Sequence, residues 1–156
     1  MARLDPEQFD RHYPQLTYEA GLFMVAYLRR LHAQFDGDLA TAIVLGEIAH
    51  HNVRGFMREV LPASGKAAAE AATDEAIAAS IRRCNTLSVA EASGIPRETV
   101  RRKVARLVEM GLVTRDAKGG LAVTRKVGRH FRDFDREMIA GLLELSGRLQ
   151  AILGRR

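Results

Sequence analysis

The feature that leaves this chain least freedom is a three-residue break, Gly94-Ile95-Pro96, set between two segments of helical pattern. Upstream, Ser88 reads as the N-cap of a short helix over Val89–Ser93, and Glu91 completes the Ser-x-x-Glu spacing of a capping box. Gly94 suits the left-handed conformation that ends such a helix, Ile95 turns inward, and Pro96 opens the next helix, where its missing N–H leaves no bond unmade. The spacing predicts that helix over Pro96–Met110, with Val100, Val104, Leu107 and Val108 inward and Gly111 as its stop. Ala90 is small where the two helices would cross, which permits a steep angle through a short turn. The second helix is then left to protrude.

Two short apolar segments follow, Leu112-Val-Thr-Arg115 and Leu121-Ala-Val-Thr124, around Asp116-Ala-Lys-Gly-Gly120. They read as a β-hairpin with a glycine-permitted turn. The run from Leu87 to Val113 resembles the bacterial winged helix-turn-helix pattern. Ala90 stands at the crossing, Gly94 at the turn, Ile95, Val100 and Val104 at core positions, and Leu107 with Gly111-Leu-Val113 leads toward the wing. Ser93 departs from the pattern, which more often has an apolar residue there. The resemblance implies a mainly α fold: a winged helix-turn-helix with a small β-hairpin wing, flanked by N-terminal helices and a long C-terminal helix. That order is similar to the MarR type of regulator. It implies a transcriptional regulator, more often a repressor, that binds double-stranded DNA sequence-specifically as a homodimer on a pseudo-palindromic operator.

Charge points to the same segment. Between Asn85 and Arg132 there are eleven Lys/Arg and four Asp/Glu, a local net of +7, so the remainder of this +5 chain carries −2. With Val100 and Val104 inward, a step of about 100° per residue turns Glu98, Thr99, Arg102, Lys103 and Arg106 outward. Arg97, Glu98 and Arg102 are the expected base readers, because Arg pairs bidentately with guanine and Glu accepts from cytosine N4. Ser88, Thr99, Arg101, Lys103 and Arg106 are expected at the DNA as well, the last four on phosphates, which position without specifying. Lys118 would sit at the hairpin tip, with Arg115, Arg125 and Lys126 along its base.

The flanks are less specific. Leu4–Leu16 reads as a short helix or arm that Pro14 interrupts; Thr17 reads as the N-cap of a helix to about Phe35, and Asp36-Gly37-Asp38 as a turn. A further helix is expected from Leu39 to Leu61, stopped by Pro62-Ala-Ser-Gly65, and another from Thr73 to Cys84 that buries Ile77 and Ile81. From Val127 to Leu153 a near-heptad apolar stripe runs through Val127, Phe131, Phe134, Met138, Leu142, Leu145, Leu149 and Ile152. The residues from Phe131 to Ile152 in this stripe are the expected homodimer contact; a fold-back onto the same subunit is the alternative. The expected division is thus 1–65 for N-terminal helices, 73–126 for the winged module and 127–156 for the dimerisation helix.

Other readings are bounded by composition. The single Cys84 excludes an internal disulfide framework and fits a reducing compartment. The start shows no signal peptide, and Ala20–Leu28 is too short to cross a bilayer, so a soluble, cytoplasmic protein with no membrane partner is expected. His50-His51 is no chelate, since neighbours on a helix diverge by about 100°. No nucleophile–base set or phosphate loop is visible, so neither catalysis, metal nor cofactor is expected. A small-molecule effector could bind near Tyr18, Phe23, Tyr27 and Phe56. The competing readings are a winged helix that docks on protein and a nonspecific nucleic-acid binder.

Overall fold

The computed structural model describes residues 4–60 and 73–154. The Pro62–Gly65 stop, the stretch after it and the packing of Ile77 fall outside what is described. The described fold is mainly helical with one two-stranded antiparallel sheet. The chain divides into two compact units, residues 38–130 and residues 1–37 with 131–156. This division differs from the expected one chiefly in placing the helix after Gly37 with the segment that follows it.

The 38–130 unit contains α3 (Leu39–Val60), α4 (Asp74–Ala79), α5 (Thr86–Ser93), α6 (Arg97–Glu109), β1 (Val113–Arg115), β2 (Leu121–Val123) and the start of α7 (Arg125–Ile152). Helix α3 packs on α5, α6 and β2. Its Val44 and Ile48 meet a core of Val89, Val100, Val104, Leu107, Leu112 and Leu121, all almost fully buried. Val108, expected inside, is 39% exposed. It lies about 100° around the helix from Leu107, at the flank of the buried arc.

Buried Asn52 joins α3 to the sheet. Its Nδ2 donates to the carbonyls of Arg82 (2.8 Å) and Leu121 (3.1 Å), and its Oδ1 accepts the Val123 N–H (2.8 Å). The Arg82 N–H in turn donates to the Asn52 carbonyl at 3.0 Å. These bonds explain why the helix expected to reach Cys84 stops at Ala79. Beyond it the backbone is extended and Cys84 pairs with Leu121 through two mutual bonds of 3.2 and 2.8 Å. Helical geometry there would forfeit both sets of bonds.

The other unit holds α1 (Pro6–Arg11), α2 (Tyr13–Gln34) and most of α7. Asp5 caps α1 by accepting the Glu7 N–H. Helix α2 starts at Tyr13, ahead of the expected Thr17, because Pro14 falls in its first turn, where proline is tolerated. The Thr17 hydroxyl instead donates back to the Tyr13 carbonyl at 2.7 Å. Helices α2 and α7 run antiparallel. Phe35 stacks on Phe131 at 5.7 Å, Tyr27 meets Phe134 at 5.7 Å, Gly141 lies against Phe23, and Arg148 pairs with Glu19 at 2.8 Å. Arg30 pairs with Glu137 and lies over the Phe134 ring.

The expected stripe is therefore partly used within the chain. Phe131 and Phe134 are buried; Met138, Leu145, Leu149 and Ile152 are half-buried; Leu142 is exposed. Beside Leu142, Ile139 and Leu143 are open, as are Tyr18, Leu22 and Val25 on α2. Among the described residues no helix is long and apolar enough to cross a membrane.

Candidate nucleic-acid interface

Helices α5 and α6 are set by their ends. The N-cap of α5 is Asn85, whose Oδ1 accepts the Ser88 N–H at 2.9 Å; Ser88 is thus inside the helix, and the expected Ser88–Glu91 capping box does not form. Asn85-x-x-Ser88 offers the same spacing one turn earlier, with an acceptor that Asn supplies as well as Ser. Gly94 adopts φ 68° and donates its N–H to the Ala90 carbonyl, ending α5 as expected. Pro96 then stands as the N-cap of α6, and the helix begins at Arg97, one position after the expected start. Three buried residues, Val100, Val104 and Leu107, hold α6 against α3.

The hairpin carries its own turn chemistry. The Asp116 carboxylate accepts the Lys118 and Gly120 N–H groups at 2.9 and 2.7 Å, and Arg83 pairs with it at 3.5 Å. Those two backbone bonds and the neighbouring cations hold the carboxyl below its usual range, the Gly120 bond contributing most. Gly119 needs its freedom here, at φ 82°. A Cβ on Gly120 would lie 2.6 Å from Asp116 Oδ2. Lys118 is exposed at the tip, and Arg115 is exposed on β1.

Arg125 and Lys126 follow β2 directly after Thr124. They form the first turn of α7, which starts two residues before the expected Val127, and the Lys126 ammonium donates to the Met110 carbonyl at 2.8 Å. That bond places a cation at the C-terminal end of α6, where the helix dipole favours it.

The outward residues of α6 fall into three groups. Glu98 and Arg101, both exposed, form a bidentate pair with N···O distances of 2.7 and 2.9 Å. The Arg101 hydrogen bonds lower the Glu98 carboxyl. Lys103 Nζ and Arg106 Nη1 both donate to Asp38 Oδ2, at 2.7 and 3.2 Å. Arg97 and Arg102 are exposed and have no hydrogen bond or ion pair among the described residues; Thr99 is half-buried between them. The cations left open on α6 thus sit in its N-terminal half.

Asp38 and Asn52 were missed in the sequence. Asp38 reads there only as part of a turn. It stands before α3 and accepts both the Thr41 N–H (3.1 Å) and the Thr41 hydroxyl (2.7 Å), an N-cap arrangement. The Asp-x-x-Thr spacing signals the cap. No local signal reports a partner 65 residues away.

His50 and His51 are exposed on α3 and border a cavity of about 450 Å³ with Arg54, Val89 and Ala92. Among the described residues no three His, Cys, Asp or Glu side chains could share a metal ion. Cys84 is buried, and that burial raises its thiol pKa. Of the aromatics expected at an effector site, Phe23 and Tyr27 stack on each other at 6.2 Å within their unit and Tyr18 is exposed; Phe56 is buried in the 38–130 unit. No protein-family profile, curated protein or solved structure matches the chain.

Proposed function

We propose that this protein is a sequence-specific double-stranded DNA-binding regulator that acts as a homodimer. In this reading α5 and α6 form a helix-turn-helix, β1 and β2 form the wing, and α6 enters the major groove. The observation that carries it is the exposed Arg97 and Arg102, with no hydrogen bond or ion pair among the described residues, on the N-terminal half of a helix anchored by Val100, Val104 and Leu107. Residues at that end of a recognition helix reach base edges, and Arg pairs bidentately with guanine. Glu98 is already engaged by Arg101, so base reading falls first to the two arginines. Lys118 and Arg115 supply backbone contacts from the wing.

The homodimer follows from the open apolar residues of the helical pair. Tyr18, Leu22 and Val25 on α2, with Ile139, Leu142 and Leu143 on α7, are each at least 43% exposed, and a second copy offers the same rows for a two-fold contact. Two copies place two recognition helices on half-sites and add their binding free energies.

Duplexes selected from a random pool test the reading. The expected outcome is a pseudo-palindrome bound at least about a thousand-fold more tightly than scrambled DNA, with affinity falling steeply as salt rises. Arg102→Ala is expected to cost about 1–3 kcal/mol and relax preference at one position, whereas Lys118→Ala weakens all sequences alike. An Arg102→Ala variant with unchanged affinity and preference would remove α6 as the reader. Leu142→Glu is expected to give monomers in sedimentation; an unshifted dimer would move the interface elsewhere.

A further inference from the structure

Asp38 lies outside the helix-turn-helix, yet it takes two of the five Lys/Arg side chains of α6. Its carboxylate is fixed from behind by two bonds from Thr41, a residue with no exposed surface. The counter-charge is therefore built into the first turn of α3, and Lys103 and Arg106 come to it. Both lie on one flank of α6, beside the arc of buried Val100, Val104 and Leu107. The Asp38 and Lys103 side chains are only 16% and 23% exposed, so solvent screens the pair far less than it screens Glu98–Arg101.

We propose that Asp38 sets the strength of sequence-independent binding: a fixed counter-charge that withholds Lys103, and with it Arg106, from DNA phosphates and so keeps that binding weak. The proposal rests on the DNA-binding reading above. Each cation that neutralises a phosphate adds affinity for every sequence by releasing counterions. A cation already neutralised by a carboxylate releases none unless it changes partner. Arg97 and Arg102, which have no such partner among the described residues, keep their full reach toward base edges. Asp38 thus subtracts a sequence-independent term from binding to every duplex and leaves the base contacts of Arg97 and Arg102 in place, so those contacts make up a larger share of what remains.

Asp38→Asn removes the charge and keeps an oxygen for Thr41, since Asn caps a helix as well as Asp. The full chain is titrated with two labelled duplexes, a selected site and a scrambled one, over a salt series. For Asp38→Asn, scrambled DNA is expected to bind about 5–10-fold more tightly near 0.1 M salt, with the log–log salt slope steeper by about 0.9 per released cation. The selected site is expected to gain by about the same factor, because the released cations meet phosphates in either duplex. Lys103→Gln alone is expected to change little; in the Asp38→Asn background it takes the gain back.

Coincident salt slopes for wild type and Asp38→Asn would overturn the role of Asp38 while leaving the DNA-binding reading intact. So would a gain that survives Lys103→Gln with Arg106→Gln. If wild type binds neither duplex, the DNA-binding reading falls and this proposal with it. Asp38→Ser, which keeps a capping hydroxyl, is the second variant. If both variants lose helical circular dichroism, Asp38 is a folding residue and the proposal is overturned.

Discussion

The two units of this chain solve the burial problem differently. In the 38–130 unit, Val44, Ile48, Val100, Leu107 and Leu121 are fully buried, and the sheet edge beyond β2 is bonded to Asn52 and Cys84. Among the described residues of the helical pair only Leu16, Phe35, Phe131 and Phe134 are buried, while Leu143 is 70% and Tyr18 is 64% exposed. Two helices alone have one shared face, and apolar residues beyond that face have nowhere to go within the pair. One unit is built to hold a shape; the other has apolar surface left over. Under the proposed function, the first carries the DNA-facing side chains and the second carries the partner.

Natural reporters separate the two units. The only cysteine, buried Cys84, is in the 38–130 unit, and all three tyrosines, Tyr13, Tyr18 and Tyr27, are in the helical pair. Thiol labelling follows one unit and tyrosine fluorescence the other. The largest expected effect comes from the core. Leu107→Ala is expected to cost about 2–5 kcal/mol and to speed Cys84 labelling at least 30-fold, roughly, if opening precedes labelling. Leu143→Ala, made on an exposed residue, is expected to shift stability by less than about 1 kcal/mol and leave Cys84 labelling unchanged. Equal effects from the two substitutions would erase the contrast between the units.

Next in size is the Asn52 clamp. Asn52→Ala leaves the Val123 N–H without its acceptor and takes the Asn52 donor from the Arg82 and Leu121 carbonyls, of which Leu121 keeps the Cys84 N–H, an expected loss of about 1–3 kcal/mol. Asn52→Asp is expected to be worse, because a buried carboxylate would face those carbonyls and could donate to neither. Amide hydrogen exchange at Val123 and Cys84 checks this. Protection there should fall in Asn52→Ala while amides in α2 keep theirs. Loss of protection in both places would make Asn52 a global residue and blur the distinction between the units.

What the sequence disclosed follows the range of each interaction. Local chemistry was legible: Gly94 ends α5, Val100, Val104 and Leu107 form the inner face of α6, and the β1–β2 turn falls at Asp116–Gly120. Cap positions slipped by about a turn, Asn85 standing for Ser88 because both side chains can accept, and His12 for Thr17 because Pro14 is tolerated in a first turn. Long-range pairing was not legible. Cys84 leaves its helix for Leu121, Asn52 spans to Val123, and Asp38 takes Lys103, all across chain separations that periodicity does not register. The α7 stripe shows the remaining gap. Spacing reveals an apolar face but not its cover, and Phe131 and Phe134 are covered by α2 of the same chain. Of the site, Arg97 and Arg102 stand open as expected, whereas Lys103, Arg106 and Lys126 have partners that no local pattern named.

The smallest expected effect is a matter of acid, and it sharpens the contrast at its charged edge. Partial burial raises the Asp38 carboxyl, but the hydrogen bonds from Lys103 and Thr41 outweigh it and bring the pKa down to about 2 from 3.8. A carboxyl depressed in the folded state contributes its stability above the unfolded pKa and loses it as pH falls through the folded one. That contribution is therefore complete above about pH 5 and disappears between about pH 4 and 2, with an upper bound of roughly 2 kcal/mol. Denaturant melts of wild type and Asp38→Asn, read by Cys84 labelling under quench, are expected to differ most near pH 6 and to converge near pH 2. The exposed pairs of the helical unit, Arg136–Asp133 among them, belong to the class worth little at a surface, so the tyrosine signal should show no matching convergence. A wild-type advantage that persisted at pH 2 would mean that Asp38 stabilises through its cap alone, and that its hold on Lys103 and Arg106 adds nothing to the fold.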